Sequence, residues 1–294
     1  MRAVNLHLDR FTALEVRSLR GQMVPTSKDR PVTFDDANSF VTRISSAEIA
    51  MDVKTLSDLL NRRVFAYPGA PLKNISVTVE HGRIKQTGTV RKGVDIPFEI
   101  EGTLDATAAG EIRMHVNKIV SAHLPVKGLL HFFGEDLAKL INLKQDRGMT
   151  AEGDNILLRP DRMLPPPRIV GKVTAVRIEG ERIVLTFGSG GAKPLSIPYA
   201  TGSYMYHRGG ILRFGKLTMS DADLEIVSES QRTPFDFSLP DYNRQLTAGY
   251  SKNTISHGLI VFMRDFALLG SEDSQRVGPA VKQKPEGGSP SLHR

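Results

Sequence analysis

The stretch from Pro125 to Lys144 reads PVKGLLHFFGEDLAKLINLK and carries the strongest helical signal in the middle of the chain. Pro125 suits a first helical position, because the N–H that proline lacks would have no partner there. The apolar residues recur mostly at steps of three and four, which places them on one helix face: Val126, Leu130, Phe133, Leu137, Leu140 and Ile141. We therefore predict a long amphipathic helix of about 30 Å, at about 1.5 Å per residue.

Strand-like runs joined by short turns precede this helix. They cover Ile75–Val79, Arg83–Arg91, Val94–Glu101 and Ile112–Val120. Alternation of apolar and polar residues indicates one buried and one solvated face, as in an antiparallel meander. Strands of this length match the helix, since a strand rises about 3.3 Å per residue. The sequence therefore predicts an elongated α+β fold, in which a highly curved antiparallel sheet wraps around the long helix.

A shorter helix is predicted from Asp52 to Phe65. Asp52 or Thr55 could cap its start, and the proline and glycine of the following YPGAP segment end it. Its apolar face is formed by Val53, Leu56, Leu59, Leu60 and Val64. Further strands are predicted near both ends of the chain, with Val4, Leu6, Leu8, Leu14, Val16, Phe40 and Ile44 in the first part and the ranges Ile169–Ile178, Arg182–Phe187, Ile211–Met219 and Ala222–Val227 in the second.

The domain organisation is predicted to be a single elongated domain over residues 1–270. Residues 145–168 are polar and then proline-rich, which indicates a crossing or an internal hinge. Residues 271–294 have few apolar side chains to bury, so we predict a disordered tail there.

Composition narrows the classes of partner. The chain has no cysteine, which excludes disulfide frameworks and thiolate metal sites. Its net charge of +7 favours anionic partners such as membrane surfaces. Nucleic acid is disfavoured, because the basic residues are scattered, aromatic residues are only 6 % and tryptophan is absent. The N-terminal MRAVNLHLDRF alternates like a strand and lacks the apolar core of a signal peptide. No apolar stretch approaches the roughly 20 residues of a membrane span.

Catalytic and metal-binding motifs are incomplete throughout the chain. Gly249–Asn253 lacks the final glycine of a serine-hydrolase elbow. Gly188–Pro194 resembles a phosphate-binding loop but has proline after lysine, which favours a hairpin tip. His131 and Glu135, one helical turn apart, favour a surface ion pair over a metal site. We predict a non-enzymatic protein without a cofactor or bound metal.

An acidic run on the strand near the C-terminal end allows two interpretations. Asp221, Asp223 and Glu225 alternate, so their side chains share one strand face. They could hold calcium, but the glycine-centred loop of a typical calcium site does not follow. A solvated strand face is the favoured interpretation.

The block from Leu56 to Leu143 resembles the bacterial LmeA-like lipid-binding proteins, which are related in shape to the tubular lipid-binding (TULIP) superfamily. The matching features are a short helix, the strand pair VEHGRIKQTGT at Val79–Thr89, the strand GVDIPFEIEGTL at Gly93–Leu104, and a long helix opening on Pro125. The resemblance implies a TULIP-like curved sheet around a helix, an apolar groove for acyl chains, and residence in the bacterial cell envelope or periplasm.

Sequence and resemblance together favour non-enzymatic lipid binding or lipid transfer. Phospholipid or another acyl lipid would lie in an apolar groove between helix and sheet, since burying hydrocarbon contributes about 0.8 kcal/mol per CH₂. The residues expected to line the groove are Leu56, Leu60, Val64, Leu130, Phe133, Leu137 and Ile141. The alternative is a structural or assembly module with a fully packed core, which presents strand edges to a protein partner.

Overall fold

The computed structural model describes residues 1–92, 94–121, 147–153, 155–188, 197, 199, 202–255 and 258–270. Strands make up 57 % of these residues. In chain order they are β1 Arg2–His7, β2 Ala13–Pro25, β3 Val32–Thr33, β4 Phe40–Asp52, β5 Leu72–Glu80, β6 Arg83–Lys92, β7 Val94–Ala106, β8 Ile112–Ser121, β9 Met149–Glu152, β10 Asn155–Leu158, β11 Arg168–Val170, β12 Val173–Glu179, β13 Arg182–Phe187, β14 Tyr204–Arg208, β15 Ile211–Phe214, β16 Leu217–Ser220, β17 Asp223–Ser228, β18 Phe235–Ser238, β19 Tyr250–Asn253 and β20 Leu259–Met263.

The helices of the described ranges are short. Helix α1 spans Val53–Leu59 and continues as a π-helical turn over Leu60–Val64. Helix α2 spans Pro160–Met163, α3 spans Tyr242–Thr247, and a 3₁₀ turn covers Phe266–Leu268. Among the described residues, no helix is long and apolar enough to cross a membrane.

The strands form three sheets. The large sheet has 11 strands, ordered β12-β13-β4-β2-β1-β14-β17-β20-β19, with β11 beside β4 and β18 beside β1. The second sheet is ordered β5-β6-β7-β8-β10-β9, and the third, small sheet β16-β15-β3. All neighbours in the second sheet are antiparallel, so the predicted meander is confirmed. Its strands are joined by tight turns, such as the one at His81 and Gly82, where both residues have positive φ.

Two of the predicted strands are divided in the structure. The segment Ile169–Ile178 belongs to β11 and β12, which pair with different strands, β4 and β13. The segment Ile211–Met219 is a hairpin, in which β15 turns into β16 around Gly215 at φ 57°. Glycine adopts this left-handed conformation without steric cost, so the turn falls where the sequence allows it.

The apolar faces of the large and second sheets meet in one core with α1. Residues alternate in and out along the strands: on β7, Ile96, Phe98 and Ile100 are buried, whereas Val94 at the start of the strand is 67 % exposed. The large sheet contributes inward residues of β2, β4 and β13 to the same buried cluster. The core is therefore built mainly by sheet packing against sheet.

The predicted fold class is wrong in its central feature. The longest helical stretch described is the 12 residues of α1 and its π-helical turn, and no long amphipathic helix organises the described sheets. The helix predicted over Pro125–Lys144 lies outside the described residues. Helical periodicity is a local signal and does not reveal what a sheet packs against. Here the described sheets bury their apolar faces against each other and against a short helix.

Helix α1 begins where the sequence predicts and covers the edge of the second sheet. The Asp52 carboxylate accepts a hydrogen bond from the Lys54 N–H at 2.7 Å, which confirms Asp52 as the cap. The Asn61 side chain donates to the Ile75 carbonyl at 2.6 Å and accepts from the Ile75 N–H at 2.9 Å. The Ser57 hydroxyl accepts from the Val77 N–H at 2.8 Å. Side chains of α1 thus replace a neighbouring strand along part of β5.

We expect Asn61→Ala to lower the free energy of unfolding by about 1–3 kcal/mol, because it leaves both backbone groups of Ile75 without their partner. Urea denaturation measures the change. Asn253→Ala, on an exposed strand, serves as the control and should change stability by less than about 0.5 kcal/mol. Equal effects of the two substitutions would contradict this role of Asn61.

Candidate functional site

An apolar cavity of about 50 Å³ lies in the core between the two larger sheets. Leu56 and Leu59 of α1, together with Leu60 of the π-helical turn, form one wall. The remaining lining comes from inward residues of the second sheet, the large sheet and the loop that carries α2, among them Val77, Ile84, Leu104, Met114, Ile156, Ile49, Ile183, Leu185, Phe187 and Met163. We call this space the intersheet cavity. Strand alternation explains its apolar lining, because every contributing strand turns its apolar face inward.

Part of the lipid-contact set predicted from the sequence reaches this cavity. Leu56 and Leu60 line it. Val64 is buried in the surrounding core, but it does not belong to the lining. The predicted residues Leu130, Phe133, Leu137 and Ile141 lie outside the described residues.

Among the described residues that line the intersheet cavity, the one polar side chain is that of Gln86 on β6. It is 5 % exposed and lies between Val77 of β5 and Ile100 of β7 in the strand register. Its amide nitrogen is buried and has no hydrogen-bond partner in the described part of the chain. Leaving such a donor unpaired costs about 1–3 kcal/mol. An ordered water needs two to four polar partners, and the rest of the lining is apolar, so water is a poor partner for this amide.

The position of Gln86 could have been found from the sequence. In the predicted strand Arg83–Arg91, the apolar residues Ile84 and Val90 lie on one face, and Gln86 has the same parity. The alternation therefore places a glutamine on the buried face. Gln86 was missed, because the predicted groove was built from apolar residues alone.

A second space, an open cleft of about 760 Å³, lies in the large sheet beyond the start of β1. We call it the sheet cleft. Its floor consists of apolar core residues: Leu6, Leu8, Phe34, Phe40, Met205, Phe237 and Leu239. Arginines stand around it, at Arg2, Arg17, Arg20 and Arg208. Its volume falls within the range of about 300–1,000 Å³ that is usual for ligand pockets.

Arg17 is already neutralised by acidic neighbours. Its guanidinium donates to Glu15 at 2.9 Å, to Glu48 at 3.0 Å and to Glu179 at 2.6 Å. The hydrogen bonds from Arg17 and Arg177 lower the pKa of Glu179 to about 2. Arg2 and Arg208, by contrast, form no ion pair with a carboxylate of the described residues. Arg208 nevertheless has a carboxylate nearby, because Asp223 is its partner in the register of β14 and β17. The described lining of the cleft is positive as a whole, since it contains four arginines and one carboxylate, that of Glu48.

The acidic run near the C-terminal end does not form a solvated face. Glu225 is 2 % exposed, and burial raises the pKa of its carboxyl group above the ordinary value. Asp223 is half-buried and Asp221 lies in the preceding turn with φ 50°. Within the described part of the chain, no group of three or more His, Asp or Glu side chains could hold a metal ion.

Compared with models of protein families, with curated proteins and with solved structures, the chain gives no match. The resemblance to the LmeA-like proteins therefore rests on the sequence motifs alone and stays a prediction.

We expect Gln86→Leu to raise the free energy of unfolding of the ligand-free protein by about 1–3 kcal/mol, because it removes a buried donor without a partner at nearly constant volume. Urea denaturation tests this. Gln245→Leu is the matched control: Gln245 is 0 % exposed, and its amide accepts from the Ser238 N–H and donates to the carbonyls of Asp236 and Arg264. That substitution should destabilise the protein. A comparable loss of stability in both variants would contradict an unsatisfied Gln86.

Proposed function

We propose that the protein is a non-enzymatic binding protein for a ligand with an acyl chain. The hydrocarbon end of the ligand enters the intersheet cavity, and its carboxyl or ester oxygen accepts a hydrogen bond from the Gln86 amide. The observation that carries the proposal is an apolar cavity whose described lining residues include a single buried donor, and this donor has no partner among the residues that the structure describes. An acyl group offers the matching combination of hydrocarbon and one polar acceptor.

Energetics support such a ligand. Each CH₂ removed from water contributes about 0.8 kcal/mol, and a satisfied hydrogen bond adds about 0.5–1.5 kcal/mol. The volume of about 50 Å³ is smaller than a benzene-sized cavity, so it takes only a few carbon atoms without rearrangement. A longer chain must displace side chains of the wall formed by α1. The π-helical turn that carries Leu60 is a type of helix irregularity often found at functional sites.

The surroundings of the ligand belong to the same proposal. The net charge of +7 favours delivery to, or collection from, an anionic membrane surface. Residence in the bacterial cell envelope follows from the family resemblance and is proposed on that basis. Transfer of a lipid, rather than its storage alone, would require both contact with a membrane surface and residence in the envelope.

The direct test is extraction of natively purified protein into organic solvent, followed by mass spectrometry. We expect an acyl lipid in a constant molar ratio to the protein, and a lower ratio for Gln86→Leu. Lipid-free extracts from several independent preparations would count against the proposal.

A second test enlarges the cavity. Leu56→Ala should lower the free energy of unfolding by about 2–5 kcal/mol, and methyl hexanoate should recover part of that loss by filling the space. Leu212→Ala is the control, because Leu212 is equally buried but does not line the cavity. Its loss should not be recovered. Thermal unfolding in sealed cells measures the stability of both variants with and without methyl hexanoate. The same measurement with n-heptane tests a ligand that lacks the ester.

If methyl hexanoate restored the stability of both variants to the same extent, the effect would come from the changed solvent and not from filling of the cavity. If heptane and methyl hexanoate restored equal stability to Leu56→Ala, which retains Gln86, the proposed hydrogen bond from the Gln86 amide to the ester would be excluded.

A further inference from the structure

Part of the sheet cleft is a gap in the large sheet. Strand β1 joins β2 and β14, with Arg2 opposite Ser18 on one side and opposite Tyr204 on the other. Both neighbours run antiparallel to β1, so both continue past its first residue in the same direction. Strand β2 extends to Pro25 and β14 to Arg208. No described strand lies between these two extensions.

The gap has the width of one strand. Neighbouring strands lie about 4.8 Å apart, so β2 and β14 are separated by about 10 Å where β1 stands between them. Beyond Met1, which still pairs with Leu19, the space between them opens into the sheet cleft. The cleft also extends along β4 and β13, which contribute to its lining. At its start, the gap between β2 and β14 is therefore as wide as the single strand β1.

Backbone groups of β2 point into the gap. The Leu19 N–H donates to the Met1 carbonyl at 2.9 Å, and the Met1 amino group donates to the Leu19 carbonyl at 2.8 Å. Leu19 therefore faces the β1 side. The register of β2 with β4 shifts between Arg20 and Gly21. Alternation along β2 nevertheless turns Gly21 and Met23 to the β1 side, because Thr26 at the far end still faces β4. Pro25 fits this edge, since it has no N–H to leave unpaired. The Thr26 N–H points the other way and donates to the Ser39 carbonyl.

Backbone groups of β14, on the opposite side of the gap, also point into it. The Gly209 N–H donates to the Ala222 carbonyl, on the side of β17. Alternation then turns the backbone groups of Tyr206 and Arg208 towards the gap. An apolar ligand would leave these donors and acceptors unpaired, whereas an extended backbone would satisfy them on both sides.

Side chains around the gap are sorted by face. Leu19 and Met23 pack against the core, and Met205 is buried in it. Arg20 and Arg208 are exposed. An entering strand would therefore turn alternate side chains onto the apolar floor and the others towards arginines, where carboxylates are favoured.

We propose that the sheet cleft binds an extended segment of a partner protein by strand addition, and that this segment alternates apolar and acidic residues. The segment pairs with β2 on one edge and with β14 on the other, and it completes the large sheet. This site is separate from the intersheet cavity, so the inference does not rest on the acyl-ligand proposal.

The probe is a blocked six-residue peptide of alternating valine and glutamate, titrated against the full chain by calorimetry. We expect saturable binding that weakens as salt concentration rises. The same peptide with lysine in place of glutamate should bind at least tenfold more weakly. A peptide methylated on alternate backbone nitrogens should also lose binding, because it cannot form the ladder.

Arg208→Glu should weaken binding of the glutamate peptide at least tenfold, while Arg213→Glu, at an exposed position of β15 outside the cleft, should not change it. Hydrogen exchange should slow at Gly21, Met23, Tyr206 and Arg208 when the peptide is bound. Methyl hexanoate should not compete.

Several outcomes would overturn the inference. Equal affinity for the glutamate and lysine peptides would exclude the proposed charge recognition. Protection at another sheet edge, such as β19, would place the peptide elsewhere. Self-association with protection of the cleft residues would make a second copy of the chain the occupant, and displacement by the ester would make the cleft a lipid site.

Discussion

The period-two alternation of side chains along a strand is the constraint on which the rest of this structure depends. It gives the large sheet and the second sheet one apolar face each, and neither face can remain in water. Packed together, the two faces enclose α1 and leave the intersheet cavity where their side chains do not meet. Both the stability of the chain and its candidate ligand site therefore derive from one fit between two sheets.

Two glutamines of this core show how differently the same side chain can be used. Gln245 is fully buried and holds α3 to its neighbours by three hydrogen bonds. Gln86 is almost as buried, but its amide nitrogen has no partner within the described ranges of the chain. Buried polar groups are nearly always satisfied, so an exception in an otherwise apolar lining needs an explanation. Binding sites commonly lower the stability of the ligand-free protein below what other side chains at the same positions would give.

Local features were predictable from the sequence, whereas the assembly was not. The meander with its short turns and the Asp52 cap are confirmed, because each depends on a few adjacent residues. The fold class was wrong, because parallel pairs such as Val4 with Phe235 join strands far apart in the chain and have no local signal. Leu56 and Leu60 line the intersheet cavity, and their contact with a lipid stays a prediction. Gln86 was missed, although it has the same parity as the apolar residues of its strand.

The hydrogen bonds from α1 to β5 have a consequence for the behaviour of the protein at high concentration. A bare outer strand is a template on which further chains can pair and grow into ordered aggregates. Ser57 and Asn61 occupy the pairing positions at Ile75 and Val77, so this margin of the second sheet offers little to an incoming chain. The short helix and its π-helical turn thus hinder the pairing of further chains with β5.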